Sequence, residues 1–328
     1  MNGTASDDDV SASSASSERR SGARLGVCVL NWNAGPILTR CVQQLMSSSD
    51  VCGPDVVVVD NASSDGSADA AASAAPCIHI VRSSSNVGFA RGHNLGARYL
   101  LDRECDYLLF INPDVLITPA ALRSLVETLS NEPRAGCCGG LPINERGVSR
   151  MACRNKPSPG DKLFLYGPAV RLSFTKPLFS RHFLDYRKLQ DGSPVYAISG
   201  ACILFRAIAF KDINGFDEAT FLYEEEFIIS EKLEARGWKT VVSTSSNYFH
   251  DEAHSTSQIP NRRRLHFIRS EQYLLKRYYG YSASVLWSFR IFRLIEYLLL
   301  AAGNVLAGKR KALPETASAA RTVGPRDR

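Results

Sequence analysis

The side chains best suited to chemistry here are carboxylates placed just after apolar runs. Asn112-Pro113-Asp114 follows directly on Tyr107-Leu-Leu-Phe-Ile111. A carboxylate at a strand tip can hold a divalent cation through oxygen, and a diphosphate needs such a cation to neutralise its charge. The same tripeptide is also good turn chemistry without any ligand. Asp60 and Asn61 end a second run, Asp55-Val-Val-Val-Val-Asp60, ahead of Ser63-Ser64-Asp65-Gly66 and a helix. At that place Asp60 can accept from a base N–H or a ribose hydroxyl, with helix N–H groups facing the ligand. Asp65 is assigned to capping the helix. Glu224-Glu225-Glu226 stands at a helix start, where the macrodipole favours acids, and this accounts fully for Glu224. Successive helical residues point about 100° apart, so one of Glu225 and Glu226 can face a cleft and act as general base. His250 follows a short apolar strand; imidazole suits manganese-like ions and would complete a site holding Asp114.

These groups need a frame. Apolar runs at 25–31, 55–60, 78–82 and 107–112 read as strands. They alternate with helical patterns at 36–46, after Gly66, at 88–101 and at 118–129. Such alternation predicts an α/β fold with a parallel sheet covered by helices and ligands at the strands' carboxyl ends. Within 88–101, Gly88, Gly92 and Gly96 recur every fourth residue and would let a helix pack closely; Arg91 can reach a base or phosphate, and His93 reads as structural. From 135 to 199 the pattern loosens, and 157–193 is irregular enough to be a lid or binding region. Regularity returns with a strand at 202–205, a helix at 224–236 and a strand at 240–242.

Composition narrows the classes. With 45% hydrophobic and 22% charged residues in 328, the chain is globular rather than disordered. A net charge of +6 does not imply nucleic acid. Nine cysteines without a C-x-x-C pair argue against a disulfide scaffold or zinc ribbon and fit a reducing cytoplasm. Residues 1–23 carry no apolar h-region and, like 308–328, read as a disordered tail. Between them lie a catalytic unit at 24–258 and a helical region at 259–307. The turn after the first strand, Asn31-Trp-Asn-Ala-Gly35, is no G-x-G-x-x-G, which argues against a dinucleotide-dependent oxidoreductase.

From 259 to 311 there are eleven Lys and Arg against Glu271 and Glu296 alone. The apolar residues there, Trp287, Phe289, Phe292, Leu294 and Ile295 among them, are too interrupted to span a hydrocarbon core of ~30 Å. The expectation is a helix in the interface of an anionic membrane with its arginines toward the headgroups. A helix packed on the catalytic unit or on a second subunit is the other reading.

Taken in order, six segments resemble the family 2 inverting glycosyltransferases of GT-A fold, in the rhamnosyltransferase-like branch of bacterial surface-polysaccharide and cell-wall synthesis. They are Val57-Val-Val-Asp60-Asn-Ala-Ser-Ser-Asp-Gly-Ser67, Asn86-Val-Gly-Phe-Ala-Arg-Gly-His-Asn94, Asn112-Pro-Asp114, Gly200-Ala-Cys-Ile-Leu204, Gly215-Phe-Asp-Glu-Ala-Thr-Phe-Leu-Tyr-Glu-Glu-Glu226 and Gly237-Trp238. The resemblance implies a Rossmann-like, mostly parallel sheet flanked by helices, with C-terminal helices. It implies transfer of a sugar from a nucleotide-diphosphate donor to a saccharide or lipid-linked saccharide, aided by Mn or Mg. Asp60 then contacts the donor nucleoside, with Asn61, Arg91 and Asn94 beside it. Asp114 matches the last residue of the D-x-D metal motif, and Asn112 replaces its first Asp. Glu225-Glu226 falls where the family often has Glu-Asp, whose second member is the general base. Ile228 stands where relatives often carry an acid, and His250 where they place a metal-side histidine. A non-catalytic nucleotide-sugar binder that kept the fold is the alternative.

Overall fold

The computed structural model describes residues 23–47, 55–166, 175–250 and 260–311. β1 (Leu25–Asn31) and β2 (Asp55–Asp60) pair in parallel, with Asn31 opposite Asp60. Both are almost wholly buried, as strands covered on two faces must be. β3 (His79–Arg82) lies outside β2, and β4 (Tyr107–Ile111) lies beside β1, again in parallel. α1 (Pro36–Met46) and α4 (Pro119–Asn131) cover one face, burying Leu38, Val42, Leu45, Leu122 and Leu125 against Val27, Val29 and Ile111. α3 (Gly88–Asp102) covers the other, over Cys28, Val57 and Val59, while α2 (Ser67–Ala74) follows β2.

Beyond β4 the sheet becomes mixed. β11 (Cys202–Arg206) runs antiparallel between β4 and β6 (Ala135–Asn144). β12 (Lys239–His250) lies parallel to β6, and β5 (Val115–Ile117) pairs antiparallel with its end. The resulting order is β3-β2-β1-β4-β11-β6-β12-β5. Because His250 pairs with Val115, the fold sets His250 beside the residue that follows Asp114.

The loosened pattern from 135 is corrected by β6, ten residues long and buried over its first eight. Its small residues are demanded by packing rather than by a turn. A Cβ on Gly136 would stand 2.6 Å from Leu233, and one on Gly139 2.7 Å from Ile198. The strand expected at 240–242 is the start of a twelve-residue strand. The rest of the loosened stretch holds β7 (Gly147–Val148) beside β6, β8 (Cys153–Arg154), α5 (Pro159–Leu165), α6 (Lys176–His182), β9 (Ser193–Val195) beside β12, and β10 (Ala197–Ile198), with β8 and β10 pairing as a separate ribbon. α7 (Ala207–Asp212) and α8 (Glu225–Glu234) precede β12, and α9 (Pro260–Arg277) and α10 (Ala283–Lys311) end the described chain. Of the tails expected at 1–23 and 308–328, residues 1–22 and 312–328 lie outside the described residues, whereas 308–311 are corrected to the last turn of α10. Among the described residues no helix is long and apolar enough to cross a membrane, and all eight cysteines there are free. Arg293 does not face outward as expected: it is 1% exposed and paired with Glu271 and Glu296.

Candidate active site

At the end of β2 the Asp60 carboxylate is buried and held on several sides. Its Oδ1 accepts from Asn31 Nδ2 at 3.2 Å and from the Ser63 N–H at 3.2 Å, and Oδ2 accepts from Arg82 at 3.2 Å. Asn31 also donates to Ser63 and Ser67, so the ends of β1, β2 and β3 meet in one polar network. Asn61 belongs to the neighbouring turn: its Nδ2 donates to Asn86 at 2.9 Å and its Oδ1 accepts from the Val87 N–H at 2.8 Å. Asp65 ties Gly35 N–H and Ser67 together at the start of α2.

Asn86 and Val87 lead into α3 at Gly88, whose φ is +84°, a conformation few residues other than glycine adopt. The Phe89 N–H donates to the Phe221 carbonyl at 2.8 Å, and a Cβ on Gly88 would lie 2.4 Å from that oxygen. Arg91 and Asn94 also turn toward this loop. Arg91 forms an exposed ion pair with Glu218 at 3.3 Å. Asn94 donates to the Phe216 carbonyl and to Glu218, both at 3.0 Å, and accepts from the Phe216 N–H. A cavity of about 550 Å³ opens beside them, lined by Asn94, Arg98, Asp217 and Lys232 among others; Asp60, Asp114 and Glu226 do not line it. His93 is buried in rings of Phe89, Phe110 and Phe216, a structural histidine.

Asp114 follows β4 on the same carboxyl edge of the sheet. Its Oδ1 stands 3.6 Å from His250 Nε2, and both side chains are shielded from solvent. His250 Nδ1 is buried and has no hydrogen-bond partner among the described residues. Asn112 is half-buried, with its backbone bridging to Ala201 and Val115. A carboxylate oxygen and an imidazole nitrogen this close fit one divalent cation. No group of three protein ligands forms among the described residues, so phosphate oxygens and water would complete the coordination.

The third element is the loop into α8. Tyr223 and Glu224 both have positive φ, +76° and +72°, an uncommon conformation for two successive non-glycine residues. Macrodipole stabilisation alone does not account for Glu224. It is buried and ion-paired with Lys162, itself buried between the rings of Tyr166 and Phe227. Anchored there, the chain directs Glu225 and Glu226 differently. Glu225 is buried with Oε1 unpartnered among the described residues. Burial first, and the adjacent Glu226 second, push its carboxyl well up from the ordinary value. Glu226 is partly exposed and accepts from Arg154 at 3.1 Å. Arg154 donates as well to the Ile198 carbonyl and lies over the Phe227 ring. Ile228 is buried with Tyr196, Ala197 and Leu274.

Four supporting residues escaped the sequence reading: Asn31, Arg82, Lys162 and Arg154. The first two end strands neighbouring β2, a signal visible once the strand order is known. Lys162 and Arg154 come from the segment without a clear pattern, and only their partners reveal them.

A mixed, mostly parallel sheet flanked by helices, with added C-terminal helices, is the GT-A fold of nucleotide-sugar enzymes. The chain belongs to glycosyl transferase family 2, whose model matches residues 26–213, and is a nucleotide-sugar glycosyltransferase of that family. It is similar to the N-acetylglucosaminyl-diphospho-decaprenol L-rhamnosyltransferase of Mycobacterium tuberculosis, at 26% identity over 301 residues, 88% of this chain and 96% of that one. A shorter match, 28% over 156 residues, covers 45% of this chain and 44% of a low-salt glycan biosynthesis hexosyltransferase of Haloferax volcanii. Among solved structures, a mannosyltransferase of Pyrobaculum calidifontis in complex with GDP-Man and Mn2+ superposes with a TM-score of 0.52 at 16% identity, covering 89% of this chain and 76% of that one.

Proposed function

We propose that the chain transfers a sugar, with inversion, from a nucleoside diphosphate donor to a saccharide carried on a lipid diphosphate at the cytoplasmic face of a membrane, and that the sugar is rhamnose. The observation that carries the reading is the pairing of Asp114 with His250 on the same strand edge as the Asp60 network. The donor and acceptor classes are supported by the mycobacterial relative, whose name specifies an L-rhamnosyltransferase acting on a diphospho-decaprenol carrier.

Asp60, oriented by Asn31 and Arg82, binds the nucleoside. Asp114 and His250 would hold the divalent cation, Mn or Mg, which would supply positive charge against the departing diphosphate. Glu226 takes the proton of the acceptor hydroxyl. The acceptor oxygen bonds to the anomeric carbon as the bond from that carbon to the diphosphate oxygen breaks. Arg154 fixes the Glu226 carboxylate for that proton transfer, and Glu225 keeps its own proton over a wider pH range.

The test uses the full chain with nucleoside diphosphate rhamnose, GDP-mannose and UDP-N-acetylglucosamine, each offered to N-acetylglucosaminyl-diphospho-polyprenol with and without manganese. Rhamnosyl transfer that needs the cation is expected, and Asp114→Ala should abolish it while circular dichroism stays unchanged. Donor binding with neither transfer nor hydrolysis of any donor would mark a non-catalytic binder instead. Undiminished turnover by Asp114→Ala would remove the cation role.

A further inference from the structure

α10 is built inside out. Phe289, Arg293 and Glu296, spaced to share one stripe, face the protein and are buried. Arg293 donates to both oxygens of Glu271 and to Glu296, and also to the backbone carbonyl of Lys162. Arg264 adds a second ion pair to Glu296. The opposite stripe is apolar and open: Trp287, Ile291, Leu294, Ile295 and Leu298 are each half or more exposed. At about 100° per residue, Trp287, Ile291, Leu294 and Leu298 project roughly opposite Phe289. A surface helix of a water-soluble face has the reverse arrangement.

The exposed charge of α9 and α10 has one sign. The only acids from 259 to 311 are Glu271 and Glu296, and both are buried against arginine. The exposed charges of α9 and α10 among the described residues are Arg269, Lys276, Arg277 and Arg290. An apolar stripe whose own helix and neighbouring helix expose only cations among the described residues is complementary to an anionic surface with an apolar interior.

We infer that the outer face of α10 docks the protein on an anionic lipid bilayer, the apolar stripe entering the headgroup boundary and Arg290 engaging phosphates. The helix lies in the interface and does not cross, which agrees with its inward ionic face. Docking there also orients the active site. α9 lies between α10 and the loop ahead of α8: Ser270 donates to the Leu222 carbonyl at 2.8 Å, and His266 stacks on Phe221. The inference is independent of the proposed rhamnosyl reaction, because its readout is binding.

The test sediments the full chain with vesicles of equal parts phosphatidylcholine and phosphatidylglycerol, and with vesicles of phosphatidylcholine alone. Binding to the anionic vesicles that weakens with added salt is expected, with little to the neutral ones. Ile291→Asp with Leu294→Asp alters only exposed positions, so it should leave the fold intact by circular dichroism and lower vesicle affinity about tenfold or more. Arg290→Glu with Lys276→Glu should weaken binding to the anionic vesicles alone. Equal sedimentation of wild type and the Ile291/Leu294 variant overturns the inference. So does a wild-type dimer by light scattering, dissociated by the same variant, with no vesicle binding; the stripe would then belong to a second copy.

Discussion

At the scale of single residues, two adjacent glutamates have been given different environments by one turn of helix. Glu226 touches a buried guanidinium and opens partly to solvent, whereas Glu225 lies in the interior with an unpartnered oxygen. A general base must be able to accept a proton and reach substrate, and Glu226 meets both needs better. Glu226→Gln is expected to lower kcat by about 10²–10⁴ with little change in donor affinity, measured by steady-state kinetics and donor titration. Glu225→Gln should reduce kcat less, because the Glu225 side chain is buried away from the cleft where the acceptor hydroxyl would sit. Reversed effects would assign the base to Glu225; no effect from either would leave the acidic run a structural feature of α8.

At the scale of elements, the glycines of α3 and β6 show what the sequence made legible and what it hid. The bounds of α1 and β2 were readable because their apolar periods are clean, 3.6 residues in one and an unbroken valine run in the other. The strand-tip placement of Asp60, Asp114 and His250 was readable for the same reason. β6 was not, since Gly136, Gly139 and Gly140 look like breakers until the side chains packed against them are seen. Arg154 and Lys162 were hidden because each acquires its role from a glutamate 72 or 62 residues away. The α3 glycines divide by mechanism. At Gly88 an added methyl meets a backbone carbonyl at positive φ, while at Gly92 it meets only the end of the Leu30 side chain. Gly88→Ala is therefore expected to cost about 2 kcal/mol or more. Gly92→Ala, able to shift Leu30 and gaining helix propensity, should cost less. Urea unfolding midpoints compare the two, and an equal loss would show that the Phe221 carbonyl is not the limiting contact.

At the scale of the whole molecule, buried imidazoles tie stability to pH. Burial lowers His93 to about 3, and burial with the nearby Arg154 charge lowers His182 to about 4, both from 6.5. His93 meets Cys28 Sγ at 3.4 Å; His182 pairs with Tyr166 Oη at 2.6 Å, and the opposing pull of the Asp161 carboxylate is outweighed by burial and by the Arg154 charge. Between about pH 6.5 and about pH 4 the unfolded chain therefore binds protons at both imidazoles that the folded chain does not. Unfolding takes up those protons, and stability falls as pH drops through that window, by at most about 1.4 kcal/mol per pH unit for each group. The depressed carboxylates Asp161 and Asp217 add a further loss in the same direction below the ordinary carboxylate range. His93→Gln should be less stable near pH 7, since its site is packed by three aromatic rings, yet show a shallower decline toward pH 4. Unfolding free energies from urea titrations across pH 7 to 4 give both slopes, and parallel slopes for wild type and variant would refute the assignment of that proton uptake to His93.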